Sequence, residues 1–236
     1  MDSDEIELLT LRSAGSAALE FNAPLSSDRA DGLVDFVGTH GQTAVDLGCG
    51  RGSLVLRLAA NGVSGVGVDS EPGAIEVAAQ RADDLGVSDR ARFVIGDAGE
   101  YSEPADVAVC IGSSHAVGGT EAVFPALARL AGAAVVGDGV WMTRPDGVNA
   151  ERFGDLPNGL ETLEAQAEAA GWTVAGSVLS TLEEWDEFEG RWGGGVREVG
   201  TAAAQGFADQ RAAEYLEYRG MLGFAWLCLT RPSRFG

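Results

Sequence analysis

Hydrophobic and polar positions along the chain follow two alternating periods. Short runs rich in β-branched residues recur, and in chain order they read TAVDLG, GVGVD, ARFVIGD, ADVAVCIG, AAVVGDGVW, WTVAGSVLS and GFAWLCLT. Between most of them lie Ala-rich segments with apolar residues at helical spacing, and four end at Gly, the residue preferred just past a helix C-terminus. Strands that alternate with helices predict an α/β domain built on a doubly wound, mostly parallel sheet.

Two helical regions stand outside this alternation. Residues 1–40 predict two helices before the first strand, because their apolar residues recur at helical spacing. The segment Thr181–Arg219 is also helical in pattern, begins with a Thr181/Glu184 capping box and is too long for a plain connection. We therefore predict one domain over residues 1–236, with an N-terminal helical cover at 1–40, a core at 41–180, a helical insertion at 181–219 and the last strand at 220–231.

The net charge and the cysteine content argue against nucleic-acid-binding, metal-binding and disulfide-rich classes of protein. The formal net charge of −20 opposes a nucleic-acid surface, since such surfaces use Lys and Arg to neutralise phosphates. The apolar stretches fall short of the ~20 residues that span a bilayer, and the acidic first residues do not resemble a secretory signal. Cys49, Cys110 and Cys228 lie far apart, which favours buried thiols over a metal site or a disulfide framework. We expect a cytoplasmic protein with no membrane, nucleic-acid or metal partner, either monomeric or homodimeric.

The stretch VDLGCGRG at residues 45–52 predicts a ligand-binding turn. Its alternating glycines permit positive φ angles and close approach of a ligand to the backbone. A dinucleotide fingerprint would instead be spaced G-x-G-x-x-G and would cradle a pyrophosphate. Asp46, two residues before the first glycine, would repel a pyrophosphate and suits a ligand that carries an ammonium or a sulfonium. The acid argues against a nicotinamide cofactor.

With this acid-glycine motif and the strand-end acids that follow it, the sequence resembles the class I S-adenosylmethionine-dependent methyltransferases from about Thr43 to Arg231. The resemblance implies a Rossmann-like seven-stranded sheet in the order 3-2-1-4-5-7-6 with the seventh strand antiparallel. It also implies S-adenosylmethionine as cofactor and S-adenosylhomocysteine as product. Every motif ends a strand, so the chemistry is expected at one edge of the sheet.

The resemblance assigns cofactor contacts residue by residue. The family pattern places the ribose acid at Asp69 and the adenine acceptor at Asp97. The full set of expected cofactor-binding residues is Asp46, Gly48, Cys49, Gly50, Gly52, Asp69, Ser70, Asp97, Ala98, Ile111 and Gly112. The fourth strand and its turn, IGSSHA, are expected to face the transferred methyl group and lack the N/D-P-P-Y/F pattern of enzymes that methylate amino groups of nucleic acids and proteins.

His115, in the turn after the fourth strand, is the candidate catalytic residue. An imidazole is neutral and basic near neutral pH, so it can orient an acceptor or accept its proton. The alternative is that His115 merely closes the turn through a backbone hydrogen bond.

Four residues are candidates for binding the acceptor: Trp141, Trp185, Arg191 and Trp192. Trp185 and Trp192 share one helix face with Phe188, so their rings either line a pocket or pack the insertion onto the domain. Arg191 either faces a carboxylate-bearing acceptor or pairs with Glu187 four residues earlier.

The sequence therefore predicts a methyltransferase that acts on a small molecule, with the acceptor atom (oxygen, nitrogen, sulfur or carbon) left open. A non-catalytic protein that binds S-adenosylmethionine and another chemistry on the same fold are the alternatives, since fold alone does not determine function. Met1–Ser27 and the insertion are expected to form a lid over the cofactor.

Overall fold

The computed structural model describes residues 3–231, with side chains from residue 5 onward. Its strands are β1 Thr43–Leu47, β2 Ser64–Asp69, β3 Ala91–Ile95, β4 Val107–Ile111, β5 Ala133–Trp141, β6 Thr173–Leu179 and β7 Leu222–Thr230. Its α-helices are α1 Ser3–Ala17, α2 Ser27–His40, α3 Ser53–Ala60, α4 Pro72–Leu85, α5 Thr120–Leu130, α6 Gly147–Phe153, α7 Leu160–Ala169, α8 Leu182–Arg197 and α9 Ala202–Tyr218.

The strands of the described residues form one seven-stranded sheet in the order β3-β2-β1-β4-β5-β7-β6. β7 runs antiparallel to both β5 and β6, and the remaining neighbours are parallel. This arrangement confirms the predicted fold class. The strand order reverses between β1 and β4, and in open parallel sheets the crevice at such a reversal is where ligands bind.

Helices cover both faces of the sheet, which explains the uninterrupted apolar composition of its central strand. Residues Val107–Cys110 of β4 are all buried. Leu33 of α2 and Leu58 of α3 pack with Val109 on one face, and Phe124 of α5 packs with Ala108 on the other. A parallel strand between two helical layers needs apolar side chains in both directions, so the period-two alternation disappears there.

One helix of the core was absent from the sequence prediction. α6 spans Gly147–Phe153 and is capped by Asp146, whose carboxylate accepts a hydrogen bond from the Asn149 backbone N–H at 2.8 Å. Pro145 and Gly147 flank the cap, and residues of these types ordinarily indicate a turn. The helix is seven residues long, so it shows too few turns for a clear helical period.

The N-terminal cover and the insertion pack closely on each other through glycines. A Cβ built on Gly15 of α1 would lie 2.4 Å from the Trp192 ring, and one on Gly195 of α8 would lie 2.6 Å from the Ala14 carbonyl oxygen. Only glycine at these two positions allows α1 and α8 to approach so closely. The two segments that lie outside the core alternation therefore form one joint layer. Across the described residues, no helix combines the length and apolarity needed to cross a membrane.

Candidate functional site

The glycine turn after β1 is held in a shape that only glycine adopts readily. Gly48, Gly50 and Gly52 have φ angles of +76°, +53° and +75°. A Cβ on Gly48 would lie 2.3 Å from Ser113, and one on Gly52 would lie 2.5 Å from the Phe93 ring. Nothing lies within 4 Å of a Cβ built on Gly50, so this side of the turn is open. The turn therefore combines tight packing at its ends with space for a ligand at its centre.

Ser113 fixes the turn after β4 against the glycine turn and was not singled out in the sequence. Its hydroxyl lies 3.1 Å from the Gly48 carbonyl oxygen and 3.0 Å from that of Ile111. The contact joins residues that are 65 positions apart. Its position two residues beyond the end of β4 was the signal that could have identified it.

Asp69 lies at the end of β2 and points its carboxylate toward the glycine turn. One oxygen accepts a hydrogen bond from the Gly50 N–H at 2.8 Å, and the other accepts one from the Glu71 N–H at 3.0 Å. These bonds hold both oxygens in place, while each retains capacity for a further donor. Ser70, which follows, is exposed beside it.

Asp46 is a buried carboxylate with no hydrogen-bond partner among the described residues. It is 6 % exposed and lies on β1 directly before the glycine turn. Burial and the neighbouring Asp69 carboxylate raise the pKa of Asp46 to about 7. A carboxylate in this situation favours either a proton or a cationic ligand.

Cys49 contributes backbone rather than a reactive thiol to this turn. Its Sγ packs toward β2, where a Cβ built on Gly67 would lie 2.6 Å from it. Burial, together with Asp46 and Asp69, raises the pKa of the thiol, which keeps it protonated.

Residues after β3 and β4 complete the edge of the site. The exposed Asp97 carboxylate accepts a hydrogen bond from the Gly99 N–H at 2.8 Å, and Ala98 beside it is buried. Ile111 ends β4, and Gly112 follows with a φ of +64°. A Cβ on Gly112 would lie 4.0 Å from the Asn22 carbonyl oxygen, so the N-terminal segment reaches the end of β4. The expected cofactor residues thus come together at one edge of the sheet.

His115 lies in a 3₁₀ turn, Ser114–Val117, and its side chain is exposed. Its imidazole makes no hydrogen bond with the residues that the structure describes. Its backbone carbonyl accepts a long hydrogen bond from Gly118 at 3.4 Å. The ring is therefore free to meet a ligand, and the turn is closed by the backbone alone.

Trp141 and Trp185 belong to a group of rings, buried except for the partly buried Phe153, which we call the aromatic cluster: Trp141, Phe153, Trp185, Tyr218 and Phe224. The Phe153 ring lies 6.0 Å from that of Trp141 and 4.8 Å from that of Tyr218, both edge to face. The Trp185 ring lies 6.3 Å from that of Tyr218. Rings from β5, α6, α8, α9 and β7 thus meet between the sheet and the insertion.

The structure places Trp192, a candidate for binding the acceptor, in the contact between the cover and the insertion. Its ring is 4 % exposed and packs with Leu11 of α1 and Val196 of α8. The Arg211 guanidinium lies 3.9 Å from the ring centroid on the other side. Trp192 shares a helix face with Trp185 but sits two turns further along α8, where α1 and α9 cover it. It therefore packs the insertion onto the cover, which was the alternative.

Arg191 faces a cleft outside the cofactor residues. The cleft has a volume of about 310 Å³ and lies between residues 19–28 and α8. Arg191 pairs there with Glu187 at 2.6 Å, four residues earlier on the helix. None of the expected cofactor residues lines this cleft. The local ion pair accounts for Arg191 without a ligand.

Two charge networks fix α9 to α8 beside the aromatic cluster. Arg211 forms a two-bond ion pair with Glu189, which also accepts a hydrogen bond from the Tyr218 hydroxyl at 2.9 Å. Arg219 pairs in the same way with Asp186, which accepts a hydrogen bond from the Tyr215 hydroxyl at 2.7 Å. The carboxylates and phenols of this region are therefore already paired.

The sequence model of the family described as "Methyltransferase domain" matches residues 39–172, more than half of the chain. The chain is 31% identical over 164 residues to the uncharacterized protein YjhP of Escherichia coli strain K12, covering 63% of this chain and 64% of that protein. It is 31% identical over 172 residues to methyltransferase ungE' of Aspergillus campestris, covering 64% of this chain and 48% of that protein. The chain thus spans less than two thirds of the length of either relative.

A solved structure gives the same result at the level of the fold. The S-adenosylmethionine-dependent methyltransferase of Geobacter sulfurreducens, crystallised in complex with S-adenosyl-L-homocysteine, superposes with a TM-score of 0.82 at 25% identity, over 94% of this chain and 98% of that one. The glycine turn, the acids at the ends of β1, β2 and β3, and the strand order agree with this match. The chain therefore belongs to the class I S-adenosylmethionine-dependent methyltransferase family.

Proposed function

We propose that the protein transfers a methyl group from S-adenosylmethionine to a small-molecule acceptor and releases S-adenosylhomocysteine. The observation that carries the proposal is Asp46, a buried carboxylate with no hydrogen-bond partner among the described residues, directly before the glycine turn. S-adenosylmethionine carries both an ammonium and a sulfonium, and either charge would stabilise the ionised form of Asp46. The Geobacter neighbour, which holds S-adenosylhomocysteine, supports the same cofactor.

The residues around the turn fit the remaining parts of this cofactor. The open side of Gly50 leaves room for it, and Asp69 presents two fixed oxygens that can accept the pair of ribose hydroxyls. Asp97 can accept a hydrogen bond from the adenine amine, with Ala98 and Ile111 as apolar contacts. The shape, charge and hydrogen-bonding capacity of the site all suit the same ligand.

The residues of this chain contribute to the reaction mainly by positioning the acceptor and the cofactor. The bound cofactor supplies an electrophilic methyl carbon, so a nucleophile held in line at about 3 Å needs little covalent assistance. Closure of the cover and the insertion over bound ligand excludes water from the edge of the sheet, which favours a step in which charge is partly neutralised. His115, whose imidazole is exposed and makes no hydrogen bond with any described residue, orients the acceptor or accepts its proton.

The acceptor is a small molecule, and the reaction takes place in the cytoplasm. The net charge of −20 disfavours nucleic acid as a substrate. Cys49, Cys110 and Cys228 are free thiols, which suits a reducing compartment.

Labelled cofactor tests the proposal. The protein is incubated with S-adenosylmethionine labelled in its methyl group and with a cell extract, and the label is then measured in small molecules, proteins and nucleic acids. We expect label in the small-molecule fraction, and much less with Asp69→Ala as the control. Label confined to macromolecules would contradict the acceptor class, and tight binding of NADH would contradict the cofactor.

A cofactor-binding protein without catalysis is the second candidate. It is favoured by the burial of Trp141 and Trp185, which are 5 % and 7 % exposed and close the acceptor region in this structure. Binding of S-adenosylhomocysteine by calorimetry, with no transfer of label to any fraction, would support this candidate instead.

A further inference from the structure

Asn149 is a buried amide whose hydrogen-bonding atoms are both unpaired. Its residue is 1 % exposed, and neither Nδ2 nor Oδ1 has a hydrogen-bond partner among the described residues. Burying an amide without partners is unfavourable, so native structures rarely retain one without a reason. Each such group in a native structure therefore calls for an explanation, such as a ligand that completes its hydrogen bonds.

The position of Asn149 connects it with the aromatic cluster. Asn149 and Phe153 are four residues apart on α6 and therefore lie on the same face of that helix. Phe153 is in edge-to-face contact with Trp141 and Tyr218. The face of α6 that bears the unpaired amide is thus the face that covers the cluster.

A second unpaired group belongs to the same cluster. Trp185 is 7 % exposed, and its indole Nε1–H has no acceptor among the described residues. Buried indole N–H groups usually find an acceptor. Two independent elements, α6 and α8, therefore each contribute a buried polar group without a partner to one apolar region.

The cluster reaches the place where the methyl group is expected. A Cβ built on Gly112, at the end of β4, would lie 3.9 Å from the ring of Phe224, which is a member of the cluster. A molecule held among these rings would therefore approach the end of β4 from the side of β5 and β7.

The charges around the cluster are already satisfied. Glu189 is bonded to Arg211 and Tyr218, and Asp186 is bonded to Arg219 and Tyr215. Each carboxylate is neutralised by its guanidinium partner, so neither ion pair offers a net charge to a cationic or an anionic acceptor. Among the described residues of α6 and the cluster, the buried side chains with unpaired polar atoms are Asn149, whose amide both donates and accepts, and Trp185, whose indole N–H donates.

We infer that Asn149 and Trp185 bind the methyl acceptor, and that this acceptor is an uncharged aromatic molecule carrying a hydroxyl or carbonyl group. Aromatic rings favour a flat apolar ligand, the indole N–H can donate to an oxygen on it, and the amide can donate to or accept from a polar group on it. The inference rests on the proposed function. Because the cluster is closed in this structure, binding requires the insertion to move away from α6.

Phenol and toluene, which differ by a hydroxyl in place of a methyl group, test the inference. Both are titrated into protein saturated with S-adenosylhomocysteine and observed through the ¹H–¹⁵N signals of the Trp indole groups, with Trp185 assigned by Trp185→Phe. We expect saturable binding, at least about tenfold tighter for phenol, and a downfield shift of the Trp185 signal on hydrogen bonding to phenol. No saturable binding of either probe, or equal affinities for both, would overturn the inference.

Asn149→Leu removes the amide at nearly constant volume. We expect the phenol preference to fall to within about twofold while toluene affinity is kept, and the thermal midpoint of the free protein to rise because an unpaired buried group is lost. Asn61→Leu is the matched control, since Asn61 is exposed and its amide already donates to the Arg57 carbonyl at 2.9 Å. It should leave both affinities unchanged.

Two results with Asn149→Leu would contradict the inference. An unchanged phenol preference would mean that the amide does not contact the ligand, and a lowered thermal midpoint would mean that a buried water already satisfies the amide. If Asn149→Leu does not fold, Trp185→Phe provides the test. Loss of its preference for phenol over toluene would support the inference, and an unchanged preference would overturn it. Binding of S-adenosylhomocysteine is measured first. If the protein does not bind it, that result would count against the proposed function. The comparison of phenol and toluene in the free protein would still test the pocket.

Discussion

Arg29 and Glu184 lie 155 residues apart and form a two-bond ion pair, with Arg29 Nε and Nη2 each 2.9 Å from a Glu184 carboxylate oxygen. Glu184 also accepts hydrogen bonds from the backbone N–H of Ser26 at 3.2 Å, from its hydroxyl at 2.7 Å, and from the Thr181 N–H at 2.8 Å. One carboxylate therefore caps α8 and attaches the N-terminal cover to the insertion. The sequence predicts the capping box, but it does not predict the ion pair between Glu184 and Arg29.

Glu184→Gln should lower the free energy of unfolding at pH 7 by about 1.5–3 kcal/mol, the range for hydrogen bonds to a charged group. Burial by itself raises the pKa of Glu184, but the bonds from Arg29, Thr181 and Ser26 outweigh it and lower the pKa to about 2. Because the folded-state pKa is depressed, this stabilisation is fully present above about pH 4.5 and is lost as the pH falls toward 2. Denaturant unfolding of both proteins at several pH values measures the difference.

Glu187→Gln is the control for this measurement. Glu187 lies on the same helix, and its ion pair with Arg191 is solvent-exposed, so its loss should change stability by less than about 0.5 kcal/mol. Equal effects of the two substitutions would show that Glu184 does not hold the cover to the insertion.

Asp46→Asn should stabilise the free protein and weaken cofactor binding. The pKa of Asp46 is raised in the folded state to about 7, so the wild-type protein loses stability as the pH rises from about 4 to 7 and stays at the lower value above that range. The variant avoids this loss. Its thermal midpoint at pH 8 should be higher by at least about 2 °C, since ~1 kcal/mol moves the midpoint of a domain of this size by roughly 2–4 °C.

Although Asp46→Asn should stabilise the free protein, it should weaken binding of S-adenosylmethionine. Affinity of the wild-type protein for S-adenosylmethionine should fall as the pH is lowered through 7, because protonated Asp46 no longer attracts a cation. Affinity of Asp46→Asn should be lower at pH 8 and should not show this titration. A variant that is less stable than wild type at pH 8 and binds equally well would refute both expectations.

Asp69→Ala should weaken S-adenosylhomocysteine binding at least tenfold by calorimetry. With Asp69 as the proposed acceptor of the two ribose hydroxyls, the substitution leaves them without a charged acceptor, at a cost of about 1.5–3 kcal/mol. It also removes the bonds from the Gly50 and Glu71 N–H groups, so the glycine turn loses a support. Asp69→Asn can keep one acceptor oxygen, so its affinity for S-adenosylhomocysteine should lie between those of the wild-type protein and Asp69→Ala. Unchanged affinity in Asp69→Ala would exclude the assignment of this carboxylate to the ribose.

His115→Ala should lower turnover about 10²–10⁴-fold if the imidazole is the general base, with S-adenosylhomocysteine affinity unchanged. Its stability should remain within about 0.5 kcal/mol of wild type, because the ring makes no hydrogen bond with the described residues. Transfer of label from the cofactor provides the turnover measurement. Turnover within a few-fold of wild type would mean that the acceptor arrives already nucleophilic.

Hydrogen exchange tests whether the cover and the insertion close on the ligand. Amides in residues 20–27 and at the start of α8 should exchange more slowly when S-adenosylhomocysteine is bound, because the Asn22 carbonyl lies beside Gly112 at the end of β4. Amides of β4 serve as the control and should be protected in both states. Equal protection of the cover with and without ligand would indicate a static layer.

The sequence by itself determined the architecture and the identity of the cofactor. The strands and the glycine turn are local features: β-branched runs form strands, and Gly48, Gly50 and Gly52 adopt the positive φ angles that the turn requires. Asp46 and Asp69 then follow from position, since each lies at or just before the end of a strand, and parallel strands end at one edge.

The acceptor half was decided by the tertiary structure. Trp185 and Trp192 share one helix face in the sequence pattern, but they enter different clusters. Trp192 packs with Leu11 of α1, whereas Trp185 packs with residues of the sheet and with Tyr218 of α9. The position of Ser113 after β4 does not reveal that its side chain packs on Gly48, and nothing in the local sequence indicates that Asn149 is buried. Whether a side chain is buried, and whether its polar atoms find partners, depends on which distant segments pack together. The spacing of residues along the chain does not specify this packing.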